Sequence, residues 1–405
     1  MTDVKMADQQ RIQWGICMRC FPSIRFTGTC TAILLLLVTG AGRAAAPIRI
    51  GATVSLSGKY SEPSAMVQDG YRLWAKQVNQ RGGLLGRPVE LVVYDDRSEP
   101  ETVYQRYQQL IQRDGVDLVL SPYGTPLTLQ ASQISESRQM VMLACAASGK
   151  AIWNRGYRYV FGMYALADRY FIGMLDLMAR RGLDSVSIIY EDSPFNRDVA
   201  EGTASWARRF GIDVALKRSF VPGERQLAPL LDEAAHKNAV GLILSAYPPD
   251  GYRMLALMTS SGWRPRALGI TIAPIHPDFH RQAGPIAEGI FGPSQWEPDE
   301  RIPFPGTNDF IHDFNAAYQK LPSYHAGSAY AACQILERAI TDLHDLNHDR
   351  IRDYINALDT VTVIGRFKVD LQGRQVGHNP ILIQWQGGKK EIVYPTKMQT
   401  AAPRW

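Results

Sequence analysis

Cysteine is scarce in this chain, five in 405 residues, and three of the five (Cys17, Cys20, Cys30) lie before Ala46. Only Cys145 and Cys333 follow, which excludes a disulfide-stapled scaffold and suits small buried thiols. Long apolar runs are missing as well. Residues 31–38 form the one short apolar core; Arg19 and Arg25 precede it and Ala44-Ala45-Ala46 follow it. That is the three-part pattern of a secretory signal, too short for a comfortable membrane anchor. Met18 is an alternative start, and Pro47 disfavours a cut directly before it, so cleavage is expected between residues 44 and 47. Cys30 precedes the apolar core, so it is not placed as a lipid-attachment site. Charge of one sign is lacking too. The net charge is +5, and five basic residues against two acidic ones lie before Ala46, so most of the excess belongs to the removable segment. No electrostatic footprint for nucleic acid or a membrane surface remains.

Catalytic motifs are equally absent. The chain has no H-E-x-x-H, no G-x-x-x-x-G-K and no G-x-S-x-G. Gly58-Lys59 and Gly149-Lys150 lack the earlier glycine of a phosphate loop. His276 with His280 and His344 with His348 read as incidental pairs, so neither a metal nor a cofactor is expected, and the chain is not read as an enzyme.

What the chain does have is β-α alternation, with 45% hydrophobic and 20% charged residues, the balance of a globular protein. Its length points to two or three domains. Val67, Tyr71, Trp74 and Val78 mark one apolar helix stripe between β-rich runs at 48–54 and 88–94. Gly82-Gly83 stops the helix and Gly86 turns the chain, giving a right-handed parallel crossover. Helices follow at 99–113 and 126–137 with strands at 117–121 and 140–144. A second series comprises helices at 167–181, 196–210, 226–237 and 250–261, with strands at 185–190, 213–220 and 239–245. The Gly/Pro-rich stretch 284–305 is read as a return crossing, followed by helices at 307–319 and 326–345 and a strand at 380–385. Two doubly wound α/β sheets are implied.

The opening unit places Leu56-Ser57-Gly58 after its first strand, Gly82-Gly83-Leu84-Leu85-Gly86-Arg87 before its second, and Asp95-Asp96 after that. This order resembles the leucine/isoleucine/valine-binding proteins, solute receptors of ABC importers. The resemblance extends over residues 48–395 and implies a type I periplasmic-binding fold, two doubly wound parallel-sheet lobes joined by a hinge that the chain crosses three times. It implies an N-terminal extension and signal at 1–46, one lobe from 47–161 plus 293–377, a second from 162–292 plus 378–395, and a tail at 396–405. Where some relatives have a first-lobe disulfide, Ser98 and Gly124 stand here, so that bond is absent.

The same resemblance names a ligand site. Thr125, in Pro122-Tyr123-Gly124-Thr125-Pro126, matches a serine that holds the ligand carboxylate, and as an N-cap before Pro126 it would open a helix start suited to anions. Alone, it reads first as a cap of its own helix. Ala146 and Ser148 match the family's Ala-Ala-Thr loop, whose backbone carbonyl takes the ligand ammonium and whose hydroxyl residue takes both charged ends; alone, Ser148 reads as an ordinary polar loop residue. Tyr123, Phe195, Tyr247 and Tyr330 are expected as pocket rings, with Trp296 a weaker candidate; each could instead be plain packing. Ile272 falls where amino-acid binders present an acid to the ligand ammonium, and no Asp or Glu occurs from Ala267 to Pro277. Asp278 is the nearest substitute. The expected function is therefore a periplasmic receptor, monomeric, that captures an amino acid or related small carboxylate and delivers it to an inner-membrane ABC permease. A receptor domain feeding a membrane sensor and an exported α/β hydrolase are the alternatives.

Overall fold

The structure, a computed structural model, describes residues 45–301 and 304–405, so the signal segment lies outside the described residues. The chain opens with β1 (Ile48–Val54), α1 (Ser61–Gln80), β2 (Val89–Asp95), α2 (Pro100–Gln108), β3 (Leu118–Val119), α3 (Thr125–Ser137), β4 (Met142–Ala144) and β5 (Val160–Gly162). These form parallel ladders ordered β2-β1-β3 and β4-β5. A second series runs α4 (Ile172–Arg180), β6 (Ser185–Glu191), α5 (Pro194–Arg209), β7 (Asp213–Phe220), α6 (Ala228–His236), β8 (Gly241–Ser245), α7 (Pro248–Ser261), β9 (Ala267–Ile270), α8 (Phe279–Ala283) and β10 (Phe291–Ser294). The chain then makes α9 (Thr307–Tyr318), α10 (Tyr324–Leu343), α11 (His348–Ala357) and the hairpin β11 (Asp359–Thr362) and β12 (Gly365–Lys368) before β13 (Ile381–Gln386) and β14 (Lys389–Tyr394).

The motifs of the first unit have local causes. Asp96, fully buried, accepts from Thr53 Oγ1, Ser55 Oγ and Ser98 N, and Asp95 accepts from Leu56 N. The acidic pair thus fastens the loop after β1. α1 then packs on α10 so closely that a Cβ on Gly70 would lie 2.4 Å from the Ala326 carbonyl oxygen. Trp74 Nε1 donates to Glu337 and Gln77 Nε2 to Asp313, which brings the returning helices back to the first lobe.

The second sheet differs from the expected parallel one along one edge. Strands β7-β6-β8-β9-β10 are parallel, but β13 pairs antiparallel with β10 and β14 antiparallel with β13. Gly387-Gly388, both at positive φ, close the two-residue hairpin that joins β13 to β14. Residues 396–405 return over this edge: Ile392 N donates to Thr400 Oγ1, Arg404 N to Gln384 Oε1, and Trp405 lies on Phe291 with ring centroids 5.1 Å apart. Toward the helices, 99–113 divides into α2 and a wider turn at Gln109–Arg113.

The chain passes between the sheets after β5, after β10 and before β13. One side chain joins the three passages. Gln295, 3% exposed, accepts from Ala165 N at 3.0 Å, donates to Ala165 O at 3.4 Å, and has its Oε1 3.3 Å from His378 Nε2. Gln295→Ala would leave the buried Ala165 N–H without a partner, a cost of about 1–3 kcal/mol. The variant is expected to melt a few degrees lower and, without ligand, to show a larger radius of gyration by small-angle scattering. An unchanged melting curve and radius would show that the amide does not hold the hinge.

Candidate functional site

The site is built from loops at the carboxyl ends of strands in both sheets, where ligands of open α/β folds bind. After β3 the chain turns at Gly124, whose φ of 82° suits glycine, and enters α3. Here the helix begins one residue earlier than expected. Gly124 is the N-cap, Thr125 the first helical residue, and the Thr125 side chain makes no cap bond. Instead its Oγ1 accepts from Gly149 N at 3.1 Å, which draws the loop after β4 against the helix start. Gly124 N donates to Ala146 O. Pro126 has no N–H, and the first N–H groups of a helix have no partner inside it, so the helix start at Thr125 borders the space with unpaired backbone donors. Ser148 Oγ lies 2.9 Å from Tyr170 Oη.

From the second sheet come Phe195, in the first turn of α5, Tyr247, the N-cap of α7, and Ile272, after β9. Ile272 has φ 61° and ψ −63°, and Ala273 N donates to Thr271 O at 2.7 Å, a γ-turn centred on a β-branched residue. Such a conformation costs on the order of 1–3 kcal/mol and persists only where its surroundings enforce it. They do so through Thr271 Oγ1, which accepts from Ala246 N and donates to Ala246 O.

The lobes meet through rings. Tyr60 and Tyr247 stack edge-on at 4.7 Å, Tyr123 lies 6.5 Å from Tyr247, and Phe195 lies between Tyr247 and Tyr170 at 5.9 and 5.4 Å. Tyr324 and His325, the first residues of α10, close the far side with Tyr164, whose Oη is 3.0 Å from His325 Nδ1. Around these walls about 10 Å³ is free, the space of one water-sized sphere, so the lobes must part for a solute to enter.

Tyr123, Thr125, Ala146, Ser148, Phe195, Tyr247 and Ile272 all line this space. Tyr330 does not. It sits on the α1 side of α10, where its hydroxyl donates to Gln77, and lines a separate surface groove with Arg81. α10 starts at Tyr324, two residues before the expected 326, because Ser323 takes the N-cap position and its carbonyl accepts from Gly327 N. Since each residue turns the helix by about 100°, the cleft-facing residues are the first two. Trp296 packs on Phe310 and lines a cavity behind the hinge. Tyr164, Tyr170, Tyr324 and His325 also line the space and carry no motif of their own, although the Pro322-Ser323 helix-start signal points to the last two.

Electrostatically the site is a set of neutral donors. Burial pushes the phenols of Tyr123, Tyr164, Tyr247 and Tyr324 well up, and that of Tyr170 up to about 12. Burial also pushes His325 down to about 3. No carboxylate lines the space among the described residues. Asp278 is exposed and paired with Arg281 at 3.0 Å. Glu191 is buried nearby, but Lys59 of the other lobe holds it at 3.2 Å and Tyr247 N donates to it. Among the described residues no group of three His, Cys, Asp or Glu is placed to hold a metal ion, and no helix is long and apolar enough to cross a membrane. Cys145 and Cys333 are buried free thiols.

A family model described as periplasmic binding protein matches residues 47–390. Leu/Ile/Val-binding protein homolog 7 of Brucella suis is 22% identical, with 89% of this chain and 94% of the relative aligned. Homolog 8 of Brucella abortus is 24% identical over the same shares. Two solved structures share the fold. The substrate binding protein LivJ of Streptococcus pneumoniae, in complex with isoleucine, has a TM-score of 0.78 at 18% identity, covering 86% of this chain and 100% of its own. A solute binding protein of R. palustris, in complex with benzoate, has a TM-score of 0.76 at 18% identity, covering 89% and 97%.

The His325 ring gives a pH test. Its pKa in the folded state, about 3, lies below the ordinary 6.5, so the folded protein binds fewer protons than the unfolded chain between those values. The ring's contribution is complete above pH 6.5 and is lost as pH falls toward 3. The melting-temperature difference between wild type and His325→Gln should therefore shift against the wild type from pH 7 to pH 4. A difference that stays constant over that range would show that the ring is not held neutral.

Proposed function

The chain belongs to the periplasmic binding protein family, and from that premise we propose that it is the monomeric receptor of an ABC importer, taking a small carboxylate without an α-amine between its two lobes. The observation that carries this reading is the pairing of an anion cradle with a missing counter-ion. Thr125 N, Ser148 Oγ and the tyrosine hydroxyls offer donors to a carboxylate, each charged hydrogen bond contributing about 1.5–3 kcal/mol. An α-ammonium beside that carboxylate would meet Ile272, with Glu191 already neutralised by Lys59. Leaving a desolvated charge unpaired costs about 3–5 kcal/mol. That is a factor of more than a hundred in Kd. The structural neighbours bind isoleucine in one case and benzoate in the other, so the fold is compatible with both and the lining residues decide.

In this reading the first 46 residues direct export and are removed, leaving a periplasmic protein. Residues 47–161 with 293–377 form one lobe and 162–292 with 378–395 the other. The solute joins donors of the first lobe to rings of the second, favouring the closed form that an inner-membrane permease recognises. The solute leaves chemically unchanged.

Isosteric pairs test the proposal by calorimetry: leucine against 4-methylpentanoate, and phenylalanine against 3-phenylpropanoate. The amine-free member of each pair should bind at least about tenfold more tightly, and Thr125→Ala should weaken it by at least about tenfold. Submicromolar leucine binding that Thr125→Ala leaves unchanged would overturn both the anchor and the missing counter-ion.

A further inference from the structure

Beyond Ile272 and His325, which are also walls of the main space, lies a second gap of about 10 Å³. Glu62, Ser323 and His276 line it together with two prolines. Two of its oxygens are buried with no hydrogen-bond partner, Glu62 Oε1 and Ser323 Oγ. Ser323 is 1% exposed and holds the N-cap position of α10, yet its hydroxyl caps nothing. The nearest charged-group contact of Glu62 Oε1 is His276 Nδ1 at 3.3 Å. That nitrogen already accepts from Asp278 N at 3.1 Å, so it carries no proton to give. Burial holds His276 neutral by pushing it down to about 4 and also pushes the Glu62 carboxyl up, against the opposing pull of a nearby Gln282 amide, so the two groups stand at 3.3 Å without forming an ion pair.

A buried acceptor without a donor costs roughly the full desolvation of the group. Here the deficit has a direction: Glu62 Oε1 and the Ser323 hydroxyl both lack a partner, and the gap adjoins the place where a ligand would lie. It is also an interlobe feature. Glu62 and Ser323 belong to α1 and the start of α10, while His276 and Ile272 follow β9, so the acceptors converge only when the cleft is shut.

We infer that this gap is a second subsite of the cleft, which receives a hydroxyl or amino donor carried on the ligand's far end while the carboxylate is held at Thr125 and Ser148. The inference rests on the carboxylate reading above and narrows it to a class, bifunctional acids whose far end is a hydrogen-bond donor. Glu62 takes the donor's proton-bearing atom as partner, and Ser323 Oγ supplies a further acceptor or donor to the same group. The side of Ile272 then separates the two ends of the site as an apolar spacer, which suits a ring between them.

Para-substituted benzoates of nearly equal shape test it by calorimetry on the whole mature chain: 4-methylbenzoate, 4-hydroxybenzoate and 4-aminobenzoate, with the 3-substituted isomers to cover the second geometry. The wild type should bind a hydroxy- or aminobenzoate at least tenfold more tightly than the methyl compound of the same position. In the double variant Glu62→Ala with Ser323→Ala that ratio should fall to about one. Ser323→Ala alone, a one-atom deletion, should reduce the same ratio and serves if the double variant does not fold. Equal binding of donor and methyl compounds by the wild type, or a ratio that survives the substitutions, overturns the subsite and leaves the carboxylate reading standing. Failure of every benzoate and alkanoate to bind overturns that reading and the subsite with it.

Discussion

Everything the two lobes can do together depends on how their three connections are held, and one amide holds them. Gln295 hydrogen-bonds both backbone groups of Ala165 and approaches His378, so the first, second and third passages share a buried polar centre. A glutamine suits that place because its amide offers acceptor and donor on one planar group, and a neutral group is buried at far lower cost than a charged one. Ala165 lies between Tyr164 and Tyr170, and Tyr170 meets Ser148 across the cleft. The hinge and the ligand walls are therefore consecutive parts of one segment, so that a change at either is felt at the other.

Closure brings together surfaces of contrasting character. The first lobe presents a helix start and hydroxyls, a concentration of positive potential without a formal positive charge. The second lobe presents rings and an isoleucine held in a strained γ-turn. Charged pairs such as Lys59 with Glu191 and Lys150 with Asp198 stand between lobes beside the site and neutralise each other. Selectivity follows from that separation. In the proposed reading an anion finds donors, an apolar body finds rings, and an α-ammonium finds no carboxylate to pair with.

Much of this was legible in the residues. The parallel crossover could be read from Val67, Tyr71, Trp74 and Val78 with the glycines that follow, because helix periodicity and turn chemistry are local. Thr125, Ser148 and Tyr247 are reached through the family resemblance, and each follows a strand end. The antiparallel edge was missed although Gly387-Gly388 marks it, since a run of β-α units makes parallel pairing the natural extension. Tyr330 lies on the face of α10 turned to α1, and the residues of that helix that reach the space are Tyr324 and His325, because the helix starts two residues before the sequence pattern implies. The γ-turn at Ile272 had no signal at all, being enforced by Thr271 and Ala246 from two different strand ends.

The central claim, a carboxylate receptor without a place for an α-ammonium, is tested most directly by the solute the protein itself selects. Native mass spectrometry of chain purified from the periplasm without refolding, followed by release and identification of the bound molecule, reads that choice. The account predicts a small carboxylic acid with no α-amine, present at close to one per chain. An α-amino acid such as leucine or valine, carried at the same occupancy, would contradict it.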